Sequence, residues 1–542
     1  MTTNAPLDLT SNLKKAANFY YASNFEVAKD LCSQILVLAP GQPDALNILA
    51  LSMRATKKWG KAEEIARDGL KVSDGNPSLL NTLGLILLDQ RRLVEAAEAF
   101  RLALQTAPNK VDLRINLALT EHELGEIRAV TAEVNEIIDA GTDIPSPFML
   151  RAAIRIEQGD FDLARIDLDQ AEKLGAPLGD VTSRRAQCDL ASGNIGSAGK
   201  AFDKAVFHAV DVADARVNRG VFRLLQGEIE EGWIDYNMRY QRRWGRTVAR
   251  PLPYPQWQGE SLINKTILLW TEQGLGESIL CSTLINDTIS EADLVILECN
   301  ERLVSLFQRS FPNLIVKPQT TPPDSSFREL KVDFQASLLD LVRYHGEEIL
   351  RQPANKPSIR CDSERTASLR AKYINGGEDR RPLVGLSWSS PKAVGARVKG
   401  VAPEKWRSIL SVPRIKFVNL QYGDDQTALD EIATTCGATL INDQDIDQGG
   451  PLDGLTDQIA ALDLVISVST TTAHIAGALG QETWVIVPPV GPSSMWYWFL
   501  DRSDTPWYSA TRLFRRQYGK GQDALLMDVV GKELNAWLSA SS

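Results

Sequence analysis

From about residue 9 to residue 246 the apolar and polar positions follow a helical period, and a second, longer period is laid over it. Steps of 34 residues through Gly84 visit Ala16, Ala50, Ala118, Ala152, Ala186 and Gly220, all of them small. The same step through Ala96 visits Ala28, Ala62, Val130, Ala164, Ala198 and Gly232. A third series, Cys32, Ala66, Phe100, Val134, Leu168, Phe202 and Tyr236, is apolar throughout. Gly125, Gly159, Gly193 and Gly227 keep the same spacing. The pattern predicts about seven 34-residue units, each of two antiparallel helices. Small residues let the helix backbones approach, and the third series fills the space between units. The glycines release the chain into turns that need positive φ. Pro40 and Pro108 fall where a helix must stop.

The helical period ends near residue 247. Pro251-Leu-Pro-Tyr-Pro255 cannot be helical and predicts an extended linker over 247–261. Beyond it short apolar runs alternate with amphipathic segments. Thr266–Trp270, Leu294–Leu297, Leu383–Leu386, Lys416–Leu420, Thr439–Ile441, Leu464–Val468 and Trp484–Val487 read as strands. Helices are expected from about Glu277, over Arg302–Phe311 and over Ala524–Leu538. Strand–helix–strand alternation at this spacing implies parallel sheets. The polar stretch 362–381 interrupts the series, so two Rossmann-like domains are expected, 262–365 and 382–542, facing a cleft. Ligands of such sheets bind at the carboxyl ends of the strands.

The 542 residues are too many for one ordinary core. A net charge of −10 argues against a nucleic-acid partner. The first ten residues lack a basic and apolar leader, and no apolar run reaches the ~18–20 residues that span a bilayer. The chain therefore reads as cytoplasmic and not as an integral membrane protein. Cys32, Cys188, Cys281, Cys299, Cys361 and Cys436 are scattered, as thiols in a reducing compartment are.

Three segments could carry chemistry. Ser467-Val-Ser469-Thr470-Thr471-Thr472-Ala473-His474 follows a strand and opens a helix. Hydroxyls and first-turn N–H groups there suit a diphosphate, which makes Ser469, Thr470, Thr471 and Thr472 donor-binding candidates with His474 pointing at the same site. Gln273-Gly274-Leu-Gly276-Glu277 closes the first strand. Gly274 and Gly276 allow close approach of a substrate, and Glu277 is the candidate general base, with His474 the substitute. Ser387-Trp388-Ser389-Ser390 ends another strand and precedes Lys392, Arg397 and Lys399. Ser387 and Trp388, with Gln421 after a neighbouring strand, join the donor set. Lys399 is the cation best placed to assist a departing phosphate. Asp443-Gln-Asp445 has the look of a metal-binding pair but reads as a surface loop, and no His, Cys and carboxylate cluster has metal-ligand spacing, so neither metal nor cofactor is expected.

The 34-residue units resemble the tetratricopeptide repeat family, most clearly over Pro77–Lys110. That resemblance implies a superhelix whose concave face holds a peptide. Asn116 and Asn218 occupy positions of the asparagine ladder of such arrays, while Asn47 and Asn81 lie one residue early, so the ladder is incomplete. Residues 256–516 resemble bacterial repeat-fused glycosyltransferases related to the heptosyltransferases of the glycosyltransferase-B fold. The matching stretches include Gly232–Tyr240, Trp257–Glu260, Glu272–Gly276, Ala473–Gly480, Thr505–Tyr508 and Arg512–Arg515. The resemblance implies an all-α array followed by an α/β half that moves a sugar, without a metal and with inversion, from a nucleotide-activated donor to Ser or Thr of a protein acceptor. Flagellin is the acceptor such proteins suggest, with Asn116 and Asn218 the acceptor-binding candidates. A lipid or polysaccharide acceptor, and a non-catalytic scaffold, are the alternatives. Two positions depart from the family: Glu277 and Ser469 stand where Asp is usual. The loss of a charge at Ser469 suggests a donor that brings its own carboxylate, such as a nonulosonic acid carried on CMP.

Overall fold

In a computed structural model the described residues are 9–242, 249–272, 274–353, 356–389, 400–423, 426–492, 494–519 and 521–540. By its contacts the chain forms two compact units, Met1–Ile154 with Leu163–Ala176, and Arg155–Asp162 with Pro177–Ser542.

The described residues between Leu9 and Tyr236 form fourteen α-helices, from Leu9–Tyr21 to Ile229–Tyr236. Six of the seven third-series side chains are 2% exposed or less, and Tyr236 is 8% exposed, so the 34-residue series is the core of the array. In the first unit a Cβ on Gly84 would lie 2.6 Å from the Phe100 ring. In the second, a Cβ on Gly220 would lie 2.7 Å from the Tyr236 backbone nitrogen and 2.8 Å from the Gly232 carbonyl. Glycine is thus present where two helices meet with no room for a methyl. The turns extend the glycine series. Gly125, Gly159, Gly193 and Gly227 have φ of +91°, +87°, +82° and +84°, and the equivalent residues of the earlier units, Ser23, Lys57 and Arg91, adopt φ of 60°, 57° and 63°.

The α/β half lies within the second unit. Its first sheet contains β1 (Thr266–Trp270), β2 (Leu294–Cys299), β3 (Ile315–Pro318) and β4 (Phe334–Ser337) in the order β3-β2-β1-β4. Its second contains β5 (Leu383–Ser387), β6 (Lys416–Asn419), β7 (Leu464–Val468), β8 (Thr483–Val487) and β9 (Thr511–Arg515) in the order β6-β5-β7-β8-β9. Every pairing between these strands is parallel. β5, β7 and β8 are buried along their full length, as strands covered on both faces must be. In each sheet the chain reverses direction once across the sheet, between β1 and β4 and between β5 and β7. Crevices at such switch points, beyond the strand carboxyl ends, receive ligands in sheets of this kind. This is the expected architecture: an all-α repeat array followed by two parallel α/β sheets.

Some elements differ from expectation. Thr439–Ile441 is not a strand; Ile441 makes a single bridge to Val418. Gly437, at φ +67°, turns the chain just before it, and Asp443 is tied down just after it, which leaves no length for a ladder. The polar stretch after residue 362 holds a helix, Ser363–Tyr373, capped by Asp362, which accepts from the N–H groups of Glu364 and Arg365 at 3.0 Å. It buries only Leu369 and Tyr373, too narrow an apolar stripe to read from sequence. The Pro-rich linker ends on the first sheet: Gln335 donates to the Pro255 carbonyl and accepts from the N–H of Trp257. β3, β4 and β9 had no clear apolar run; β4 reads Phe-Gln-Ala-Ser.

Candidate active site

β1 ends at Trp270, and the chain passes Thr271 and Glu272 into the helix Leu275–Cys281, whose N-cap is Gly274. Gly276 faces the other sheet: a Cβ there would lie 2.7 Å from His474 Cδ2. Glu277 is half-buried, and its carboxylate curls back over its own turn, so that a Cβ on Gly274 would lie 2.7 Å from Glu277 Oε2. The glycines therefore serve both close packing and clearance for the carboxylate.

Opposite, β7 ends at Val468 and the helix Thr471–Ala478 begins, with Thr470 as an N-cap that supplies no side-chain hydrogen bond. Thr470 and Thr471 are half-buried; Ser469 and Thr472 are buried. Ser467 Oγ and Thr470 Oγ1 lie 3.1 Å apart. Ser469 Oγ accepts from the Trp498 indole N–H at 2.8 Å. His474 is 2% exposed. Its Nδ1 is 2.9 Å from the Tyr508 hydroxyl, and its ring stacks on Trp498 at 5.2 Å and 16°. Tyr497 meets the same ring edge-on at 5.1 Å. The ring is thus packed between the glycine turn and an aromatic shelf, which differs from the expectation that it points openly into the site. Burial pushes the Tyr497 and Tyr508 phenols well above their ordinary range, and the charge of Glu277 pushes them the same way.

The end of β5 is held by a side chain that mimics backbone. Gln421 Oε1 accepts from the N–H groups of Trp388 and Ser389, both at 2.9 Å, and its Nε2 donates to the carbonyls of Ser389 and Tyr422 at 3.0 and 3.2 Å. Ser387, Trp388 and Gln421 are each 1% exposed, so they shape the strand end more than they present it. Val401 donates to the Trp388 carbonyl at 2.9 Å. Ser390, Lys392, Arg397 and Lys399 lie outside the described residues, as does Gln273.

Asn116 and Asn218 are half-buried, and each bonds to the preceding unit of the array. In the first unit Asn116 donates to Asn81 Oδ1 at 2.9 Å, and Asn47 accepts from Thr82 at 2.5 Å. In the second, Asn218 donates to Ser183 Oγ at 3.1 Å. These amides knit successive repeats to one another. Asp443 accepts from Lys372 at 2.7 Å and from the Tyr373 hydroxyl at 2.8 Å.

Residues with no assigned role in the sequence also belong to the site's surroundings. Trp498 and Tyr508 support His474, and Arg239, Glu272 and Asp340 form a buried ionic cluster behind the glycine turn. Tyr508, Arg239 and Glu272 fall in the stretches that carried the resemblance; Trp498 had no signal beyond its aromatic neighbours, because only the folded chain brings it under β7.

Residues 58–111 match the tetratricopeptide repeat family. The chain is 26% identical over 447 residues to Protein FlbA of Caulobacter vibrioides, an alignment covering 80% of this chain and 69% of that protein. Among solved structures, a tetratricopeptide repeat protein from Parabacteroides merdae is similar at a TM-score of 0.37 and 15% identity, covering 42% of this chain and 91% of that one. The glycosyl transferase family 9 protein from Veillonella parvula is similar at a TM-score of 0.38 and 11% identity, covering 52% of this chain and 99% of that one. Among the described residues no helix is long and apolar enough to cross a membrane. The repeat match and the strand order together describe one chain in which a helical array with a tetratricopeptide repeat match runs into an α/β half of two parallel sheets.

Proposed function

We propose that this chain is a glycosyltransferase that moves a sugar from a nucleotide-activated donor to a Ser or Thr hydroxyl of a protein engaged by the repeat array. The observation that carries this reading is the contact of Gly276 with His474, which sets the Glu277 turn of one sheet against the Thr470–Thr472 helix start of the other, at both switch points. Donor phosphates would settle on the hydroxyls and N–H groups of Thr470, Thr471 and Thr472. The acceptor oxygen would attack the anomeric carbon as the bond from that carbon to the phosphate oxygen breaks. Its proton passes to Glu277, and the nucleotide leaves as an anion assisted by Lys399. Attack from the face opposite the leaving group inverts the anomeric centre, and no metal is needed in this scheme. Ser469, engaged by Trp498, adds no negative charge near the donor, which supports a carboxylate-bearing sugar such as a nonulosonic acid on CMP.

The test is intact-mass analysis of flagellin incubated with the chain and a panel of nucleotide sugars, a nonulosonic acid on CMP among them. A sugar-sized increment is expected with one donor, falling ~10²–10⁴-fold in rate in Glu277→Gln with the melting temperature unchanged. Full activity in that variant, or no increment with any donor, would sink the reading. Turnover only with neutral hexose donors would refute the carboxylate-bearing donor alone.

A further inference from the structure

The last helix pair of the array, Val212–Leu225 and Ile229–Tyr236, continues into a short 3-10 segment, Asn237–Gln241. Arg239 in that segment is 2% exposed. Its Nε donates to Glu272 Oε2 at 3.0 Å and its Nη2 to Glu272 Oε1 at 2.7 Å. Nη2 also reaches Asp340 Oδ1 at 2.7 Å and the Tyr240 hydroxyl at 2.7 Å. The guanidinium lies 4.3, 5.2 and 5.5 Å from the ring centres of Tyr240, Tyr236 and Trp233. Glu272 also accepts from Tyr240 at 3.0 Å and from Ser337 at the end of β4. Asp340 accepts from the Trp233 indole at 3.3 Å and from Gln256 at 3.4 Å.

One cation therefore serves two buried carboxylates. Burial pushes Asp340 up, and the proximity of Glu272 adds to this against the pull of Arg239. A buried charge cluster is a poor way to gain stability, because apolar side chains of similar volume generally do as well. What such a cluster does supply is direction: the two-pronged fork of an arginine fixes the carboxylate it holds in both position and plane. That carboxylate belongs to Glu272, between β1 and the helix that carries Glu277. The same helix pair reaches the other wall of the site through rings: Trp233 meets Trp496 at 5.8 Å, Trp496 meets Tyr497 at 5.4 Å, and Tyr497 meets His474 at 5.1 Å.

We propose that Arg239 is a positioning residue, through which the last helix pair of the repeat array holds the glycine turn and so sets the placement of Glu277. The tether stands on geometry alone; its consequence for turnover rests on the glycosyltransferase reading. The repeat array in this view is more than a handle for the acceptor, since its final turn is a wall of the catalytic half.

Hydrogen exchange and kinetics on the full chain test this. Glu272→Gln is the variant of choice, because it leaves Arg239 matched one-to-one with Asp340 and so keeps the fold. Arg239→Lys, which keeps the charge but loses the fork, is the second. Arg250→Lys is the control: it disturbs another buried arginine–glutamate pair of the same sheet, Arg250 with Glu298, at the end of β2. Both test variants are expected to speed amide exchange over 275–281 by tenfold or more without substrate. They should also lower kcat at least tenfold with the donor KM within twofold, while the control does neither. Unchanged exchange over 275–281 overturns the tether, as does the same acceleration in Arg250→Lys. Faster exchange with wild-type kcat overturns the positioning role. If the parent chain transfers no sugar at all, the glycosyltransferase reading fails and exchange alone decides the tether.

Discussion

Lys57 is an ordinary exposed lysine in the sequence, yet it sits at φ 57° where the later units of the array have glycine. A side chain in that conformation strains the backbone by roughly 1–2 kcal/mol. Glycine would relieve this while giving back part of it as unfolded-state entropy, ~0.5–1 kcal/mol. Lys57→Gly should therefore raise stability by about 0.5–1 kcal/mol, read as a higher denaturant midpoint at unchanged m-value. Gly125→Ala, at φ +91°, should lower it. At the site, Gly276 is the glycine packed directly against His474. Gly276→Ala places a methyl against His474, so either the ring leaves Trp498 or the glycine turn shifts. The expected result is a loss of about 1–3 kcal/mol in stability and at least a tenfold loss in transfer rate, checked by thermal melting beside the mass assay. A variant as stable and active as the parent would show that the Gly276–His474 contact has slack.

Among the elements, the helix pair Val212–Leu225 and Ile229–Tyr236 carries the most consequence. It meets closely at Gly220, so Gly220→Val should destabilise by several kcal/mol, since the nearest obstacles, Tyr236 N and the Gly232 carbonyl, are backbone that cannot swing aside. Asp235, 1% exposed, lies between the same helices and is held by Arg216 at 2.7 Å, Arg219 at 2.6 Å and Arg223 at 3.0 Å. Burial works to raise its pKa, but hydrogen bonds from Arg219 and Arg216 outweigh burial and hold it below the ordinary value of 3.8. A carboxylate lowered on folding contributes stability above pH 3.8, and that contribution is lost as the pH falls through the lower folded value. Asp235→Asn should accordingly flatten the acid limb of a melting-temperature profile below about pH 4. Asp235→Ala should cost about 3–5 kcal/mol near neutrality, because three cations lose their shared partner. An unaltered acid limb in Asp235→Asn would mean that the pair is not what fails first in acid.

At the scale of the molecule, much was legible in the chain and some was not, for separable reasons. A 34-residue period is a local rule repeated, so Gly84, Phe100 and their equivalents announce the helix pairs without any knowledge of what surrounds them. Apolar runs such as Leu464–Val468 likewise announce strands buried on both faces. The serine and threonine run after β7 and the glycine turn after β1 could be singled out because each stands at a strand–helix junction, a place defined by neighbours in sequence. Pairing is another matter. Phe334–Ser337 is a strand only because β1 and Gln256 lie alongside it, and Ser363–Tyr373 is a helix although its composition reads as a linker. The openness of His474 could not be judged either, since Trp498, Tyr508 and Gly276 come from three separate segments. The amino-acid order by itself thus determined the repeat helices, the strands buried on both faces and which residues stand at their ends, because those follow from near neighbours. The tertiary structure alone decided that the two strand ends face one another and that Arg239 reaches Glu272 behind them, because a contact between residues 33 apart is made by packing, to which no local spacing rule extends.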